Sequence, residues 1–271
     1  MAFEDTIASE EDLQDVSADK LRSFYATAES INPNLSTPSL PPTVSKVYAD
    51  TVLEEGKKCA GMAISQYQGM LQSFLVGLIG AKRILEVGTF TGSSGIFFAN
   101  ALKRNGVAGG PDDNGDKPII SLDISEKYAE IARKNFIDAG IEEYIEVIVG
   151  DARKNIAALE GQVFDLVFLD ADKPSYKHYY DTILQNNLIS KNGLIIADNT
   201  AFDFVTPYLG IPAPVSDDSK PLDVSFKCIY DAPGLGKAIH EFNEYIRNDP
   251  RTEVVVLPLF TGITLIRPLN E

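Results

Sequence analysis

Five short apolar runs, spaced so that a helical pattern fits between each and the next, constrain this chain more than any other feature. They are RILEVG (83–88), PIISLD (118–123), IEVIVGD (145–151), FDLVFLD (164–170) and GLIIADN (193–199). Each reads as a short buried strand. Between them lie segments with helical spacing, such as TFTGSSGIFFANALKR after the first run and SEKYAEIARKNFIDAG after the second. Strand–helix alternation of this length predicts an α/β fold, a parallel sheet covered by helices on both faces. LGKAIHEFNEYIRNDP (235–250) adds a helix stopped by Pro250. EVVVLPLFTGITLIRP (253–268) reads as a closing β-hairpin with Gly262 in its turn. Five strands and a hairpin make a seven-stranded, mostly parallel sheet with an antiparallel C-terminal end.

Ahead of the first strand, apolar spacing is helical over 44–58 and again over 69–79. Residues 1–45 are polar and broken by NPNLSTPSLPP (32–42), whose four prolines rule out a continuous helix. They read as an N-terminal arm with one helix around 19–28, and residues 46–271 as a single domain. NGVAGGPDDNGDK (105–117) and GIPAPVSDDSKPLDVS (210–225) look inserted, the second beside a strand end where loops border a site. Lys plus Arg is 24 against 39 Asp plus Glu, a net charge of −15. That balance disfavours a nucleic-acid backbone or an anionic membrane as partner and suits cationic, neutral or metal ligands. The two cysteines, Cys59 and Cys228, form no CxxC, so neither a disulfide framework nor a zinc site is expected. The N-terminus is acidic without a signal-peptide core, and no run reaches the ~18 apolar residues of a membrane span. A cytoplasmic protein is the expectation.

In an open parallel sheet, ligands bind outside the carboxyl ends of the strands. Here those ends carry Glu86-Val87-Gly88, Asp123, Gly150-Asp151-Ala152, Asp170-Ala171-Asp172 and Asp198-Asn199. One terminal Asp is commonly a helix cap, but five acidic ends on one edge point to a site. The turn GTFTGSSG (88–95) is glycine-rich without being G-x-G-x-x-G, since Phe90 and Ser93 stand at the later glycine positions. Asp123 can accept both hydroxyls of an adenosine ribose. Glu86 beside the turn would repel a pyrophosphate and attract a cation. S-adenosylmethionine, with a ribose, an amino group and a sulfonium but no phosphate, therefore fits better than NAD.

EVGTFTGSSG, SLDIS, GDA, VFLDADK, IADNT and GITLIRP resemble, in order, the motifs of the cation-dependent class I O-methyltransferases. These are the enzymes similar to caffeoyl-coenzyme A O-methyltransferase and, more distantly, catechol O-methyltransferase. The resemblance covers about residues 60–268 and implies a Rossmann-like methyltransferase fold. It implies that Asp170, Asp198 and Asn199 hold a divalent metal. Adjacent strands lie about 4.8 Å apart, so neighbouring ends can surround one ion, and hard oxygen ligands suit Mg²⁺, Mn²⁺ or Ca²⁺. It further implies that Lys173 is the general base for an acceptor hydroxyl, next to the catalytic Asp170, and a nearby cation favours its uncharged amine. Glu86, Gly88, Ser94, Asp123, Ala152, Asp170 and Asp172 would hold the cofactor, with Ile124 as an adenine wall. A small aromatic acceptor with vicinal hydroxyls and a homodimer are further implications.

The family's SPDEGQ run ahead of the first strand looks like SQYQGM (65–70), keeping Ser65 and Gly69, so no contact is carried over from it. The arm shows no match to the plant enzymes' coenzyme A region. His178 and His240 are read as ordinary surface or core residues, and Tyr176, Tyr179 and Tyr180 as helix packing. Three other readings remain open: a metal-independent methyltransferase acting on another acceptor, an NAD(P)-linked oxidoreductase with an atypical turn, and a non-catalytic relative of the fold.

Overall fold

The computed structural model describes residues 41–201, 235–257 and 259–269. The helix expected around 19–28 and the insertion at 210–225 lie outside the described residues. Helix α1 spans Pro42–Ala60 and α2 spans Gln66–Leu78. Proline is tolerated at the start of α1, where its missing N–H has no intrahelical partner in any case. Gly56, at φ +83°, kinks α1 close to its end. Then the expected alternation follows: β1 (Ile84–Val87), α3 (Ser93–Arg104), β2 (Ile119–Asp123), α4 (Glu126–Asp138), β3 (Ile145–Val149), α5 (Ala152–Ala158) and β4 (Phe164–Leu169). A 3₁₀ turn at Lys173–Ser175 leads into α6 (Tyr176–Gln185). β5 (Ile189–Asp198), α7 (Leu235–Arg247), β6 (Thr252–Leu257) and β7 (Ile263–Pro268) complete the chain.

The seven strands lie in the order β3-β2-β1-β4-β5-β7-β6. The first five pair in parallel, whereas β7 runs antiparallel to both β5 and β6. β5 is longer than its apolar run because Ile189 already pairs with Phe164, and a register shift follows before Leu194 pairs with Leu166.

Burial explains why these strands read as continuous apolar runs. Alternate side chains enter two separate cores. Leu85, Val87, Leu122, Val167, Leu169 and Ile195 pack with the α5, α6 and α7 side. Ile84, Ile119, Leu166, Phe168 and Ile196 pack with the α1, α2, α3 and α4 side. Each fully buried Leu, Ile or Phe contributes roughly 1.5–3 kcal/mol relative to exposure, so neither face tolerates a charge without a partner. Asp165, the one acid inside the fourth run, accepts hydrogen bonds from the backbone N–H of Lys82 (2.8 Å) and Arg83 (3.1 Å). The segment 105–117 is a surface loop tied back by Asp112 and Arg83 at 2.9 Å. Among the described residues no helix is long and apolar enough to cross a membrane.

Candidate functional site

Chain order reverses between β1 and β4, the point at which an open α/β sheet leaves a crevice. Gly88 stands there with φ +109°, and a Cβ at this position would lie 2.5 Å from the carbonyl oxygen of Asp170. A glycine is therefore required for the ends of β1 and β4 to approach. The crevice opens into a cavity of about 670 Å³. Gly88, Ser94, Asp123, Ile124, Ala152, Asp170, Asp172 and Lys173 all line it.

At one end, Asp123 is held by three backbone donors. Its Oδ2 accepts from Thr89 N (3.1 Å) and Phe90 N (2.8 Å), and its Oδ1 from Ser125 N (2.8 Å). The carboxylate thus closes the turn after β1 and still presents lone pairs to the cavity. Ile124 is 79% exposed on the cavity wall. Phe90, at φ +47°, packs edge-on to Tyr128 with centroids 4.7 Å apart, and both face the cavity. Asp172 accepts from Ser175 Oγ and Tyr179 Oη, each at 2.5 Å. Burial and the Asp172 charge push the Tyr179 phenol well above its usual range, so Tyr179 stays a donor.

Glu86 is placed differently from the other residues predicted to hold the cofactor. It is fully buried behind the cavity wall, and its two oxygens accept from Ser94 Oγ and Ser121 Oγ. Ser121 is in turn 2.5 Å from Thr89 Oγ1. Removal from water, with Asp170 and Asp123 nearby, pushes the Glu86 carboxyl up to about 7 against the pull of the two serines. Its charge reaches the cavity through Ser94 and not by its own contact.

β4 and β5 bring Asp170, Asp198 and Asn199 to adjacent strand ends; of the three, Asp170 lines the cavity, and Asp198 and Asn199 lie behind it. Burial first, and then the charge of Asp170, pushes Asp198 up to about 7. Asp170 is also raised by burial and pulled back by Lys173. Lys173 Nζ is 2.9 Å from Asp170 Oδ1 and 2.7 Å from Tyr176 Oη, and only 6% of its side chain is exposed. Tyr176 Oη lies 2.8 Å from Leu169 O and 3.1 Å from Asp198 O, spanning the ends of β4 and β5. Asp198 Oδ1 accepts from Asn199 N (2.7 Å), and its Oδ2 from Gln68 Nε2 (2.9 Å). Asn199, at φ +56°, donates its Nδ2 to Thr261 Oγ1 at 2.7 Å. The β6–β7 turn is pressed close here, since a Cβ on Gly262 would lie 2.2 Å from Ala201 N.

Among the described residues no three His, Cys, Asp or Glu side chains are grouped to hold a metal. The donor set is instead a buried carboxylate (Asp198) and a partly buried one (Asp170) that repel one another, with an adjacent amide, all oxygen donors of the kind a hard divalent cation takes. Those residues fit such an ion, whose charge would offset the repulsion that raises Asp198.

Sequence reasoning located the strand ends but missed what buttresses them. Ser121 sits in mid-strand opposite Glu86, and only the parallel register reveals it. Gln68 lies on a helix outside the alternation, 130 residues from Asp198. Tyr176 is three residues after Lys173, a helical spacing that placed it within reach without indicating which face it took. His178 is on the surface, as expected.

Residues 41–269 match the O-methyltransferase family. The chain is 31% identical over 203 residues to a probable caffeoyl-CoA O-methyltransferase 3 of Dictyostelium discoideum, covering 73% of each. It is 31% identical over 214 residues to a caffeoyl-CoA O-methyltransferase of Populus kitakamiensis, covering 78% of this chain and 80% of that one. Among solved structures, the SAH-bound methyltransferase PaMTH1 of Podospora anserina is similar with a TM-score of 0.72 at 26% identity, covering 97% and 98% of the two chains. With its sheet order, its cavity at the switch point and these similarities, the chain belongs to the O-methyltransferase family, whose members take their methyl group from S-adenosylmethionine.

Proposed function

We propose that this O-methyltransferase methylates one hydroxyl of a small catechol-like or vicinal-dihydroxy aromatic, with a divalent cation held by Asp170, Asp198 and Asn199. One observation carries the reading: two carboxylates at neighbouring strand ends, the buried one raised to about 7 by burial and by the other, stand beside a buried lysine. The names of the similar caffeoyl-CoA enzymes, and of a catechol O-methyltransferase of Mycobacterium tuberculosis that is 36% identical over 138 residues, support a phenolic acceptor. Mg²⁺, Mn²⁺ or Ca²⁺ would supply Lewis acidity that lowers the pKa of the acceptor hydroxyl and fixes its neighbour.

The chain's own residues supply the rest. Asp123 holds the ribose hydroxyls of S-adenosylmethionine, with Ile124 and Ala152 on the adenine side. Ser94, backed by Glu86, and Asp172, held by Ser175 and Tyr179, face the cationic methionyl part. Gly88 lets the backbone approach it. Lys173, as the uncharged amine, takes the hydroxyl proton on Nζ as the oxygen attacks the sulfonium methyl; the C–S bond breaks and its electron pair stays on sulfur. Tyr176 and Asp170 hold Lys173 at the place where that proton leaves. Alignment of acceptor and methyl group supplies much of the rate. The net charge of −15 accords with a small-molecule acceptor and no nucleic-acid or membrane partner. A cytoplasmic homodimer completes the proposal.

The test is methyl transfer to a panel of catechols, hydroxycinnamates and their thioesters, with Mg²⁺ or with EDTA, read by mass spectrometry. Product formed with Mg²⁺ and lost with EDTA is expected. Equal product under both conditions would refute the cation.

A further inference from the structure

The run SQYQGM (65–70) carries no function by resemblance, yet the structure places it against the proposed cation pair. We infer that Gln68 is a positioning residue for Asp198, so that the first turn of α2, outside the sheet, sets the cation affinity of the site. This rests on the cation reading above.

Gln68 is 4% exposed, and its Nε2 donates to Asp198 Oδ2 at 2.9 Å, while Asn199 N donates to Oδ1 at 2.7 Å. Each carboxylate oxygen thus spends one lone pair on a neutral donor that fixes its orientation and keeps another for a cation. A neutral amide adds no charge to a site that already suffers carboxylate repulsion, and it neither takes nor releases a proton. Neither Gln68 nor Asp198 lines the cavity, and the side-chain amide of Gln68 acts on the site through its contact with Asp198.

The turn that carries Gln68 is itself held at three points. Ser65 caps α2 by accepting from Gln68 N at 3.1 Å. Gly69 brings α2 so close to α3 that a Cβ would meet the Phe97 ring at 2.2 Å. Tyr67 packs edge-on to Phe260 with centroids 5.1 Å apart, beside Thr261, which accepts from Asn199. Gln68 and Thr261 thereby hold Asp198 and Asn199 from two segments outside the parallel sheet. Partners that orient metal ligands commonly govern affinity for the ion as the ligands themselves do.

The test is Mn²⁺ binding to the full-length protein, followed by electron paramagnetic resonance of free Mn²⁺, for the wild type and Gln68→Leu. The variant's Kd for Mn²⁺ is expected to rise by roughly 10–100-fold, the usual cost of losing such a partner, with Kd for S-adenosylhomocysteine unchanged. An Mn²⁺ Kd equal to that of the wild type would overturn the role of Gln68 and leave the cation reading standing. A wild type that binds no Mn²⁺ would overturn both. Should Gln68→Leu not fold, Gln68→Glu keeps the size and adds a charge. Its Tm should fall in EDTA and gain more from Mn²⁺ than the wild-type Tm does; an equal gain would overturn the role.

Discussion

Replacing Glu86 with Gln isolates the electrostatic cost of a carboxyl buried beneath the cofactor turn. Its ordinary value of 4.5 is raised to about 7 in the folded protein, chiefly by burial. Between those two values the folded state keeps a proton that the unfolded chain has released, so stability falls as pH rises through the window. At 1.36 kcal/mol per pH unit, the whole interval amounts to about 3 kcal/mol. The cost is absent below the unfolded value and complete above the folded one. Glutamine does not titrate, and its amide can pair with Ser94 and Ser121, whose hydroxyls both donate and accept. Urea unfolding of both proteins from pH 4 to 8.5, with EDTA and without cofactor, gives the difference in stability at each pH. Asp198 and Asp170 titrate in both proteins, so their contributions largely cancel in that difference. Relative to the wild type, Glu86→Gln should gain about 3 kcal/mol between the acid and alkaline ends. Parallel stability curves would show that Glu86 titrates in the folded protein as it does in the unfolded chain and would refute the reasoning.

Three further substitutions probe the site. Asp198→Ala should abolish cation-dependent turnover while circular dichroism stays that of the wild type; full activity with Mg²⁺ would sink the assignment of that residue. Tyr176→Phe removes the hydroxyl that faces Lys173 Nζ at 2.7 Å and should lower kcat by about tenfold or more with little change in KM, since proton transfer depends on position; a wild-type kcat would leave Tyr176 a packing residue. Gly88→Ala puts a Cβ 2.5 Å from a backbone carbonyl at φ +109°, so stability should fall by about 1–3 kcal/mol, with S-adenosylhomocysteine affinity falling beside it. Unchanged calorimetric binding and melting would contradict the close approach of β1 and β4.

β1, β2, β4 and the second half of β5 were legible because they are buried on both faces, which leaves a short continuous apolar run that few other structures produce. The acids that end those runs were legible for the opposite reason: a charge at the close of a buried strand needs a site or a cap. Glu86 shows where that logic stops. As a carboxyl near a glycine turn it looked like a ligand contact, yet the pleat turns it away from the cavity towards Ser94 and Ser121. Period-two alternation decides which face a strand residue takes, and a four-residue strand is too short to display it.

The sequence by itself determined the α/β alternation, the hairpin that closes it and the acids and lysine gathered on one edge, since these depend on local periodicity and on what a core refuses. Only the tertiary structure decided which residues hold that edge in place. Gln68 reaches Asp198 across 130 residues, Thr261 reaches Asn199 across 62, and Ser121 meets Glu86 through strand register. Each is a polar residue whose partner is set by packing between distant segments, and hydrogen bonds of that kind leave no periodic trace along the chain.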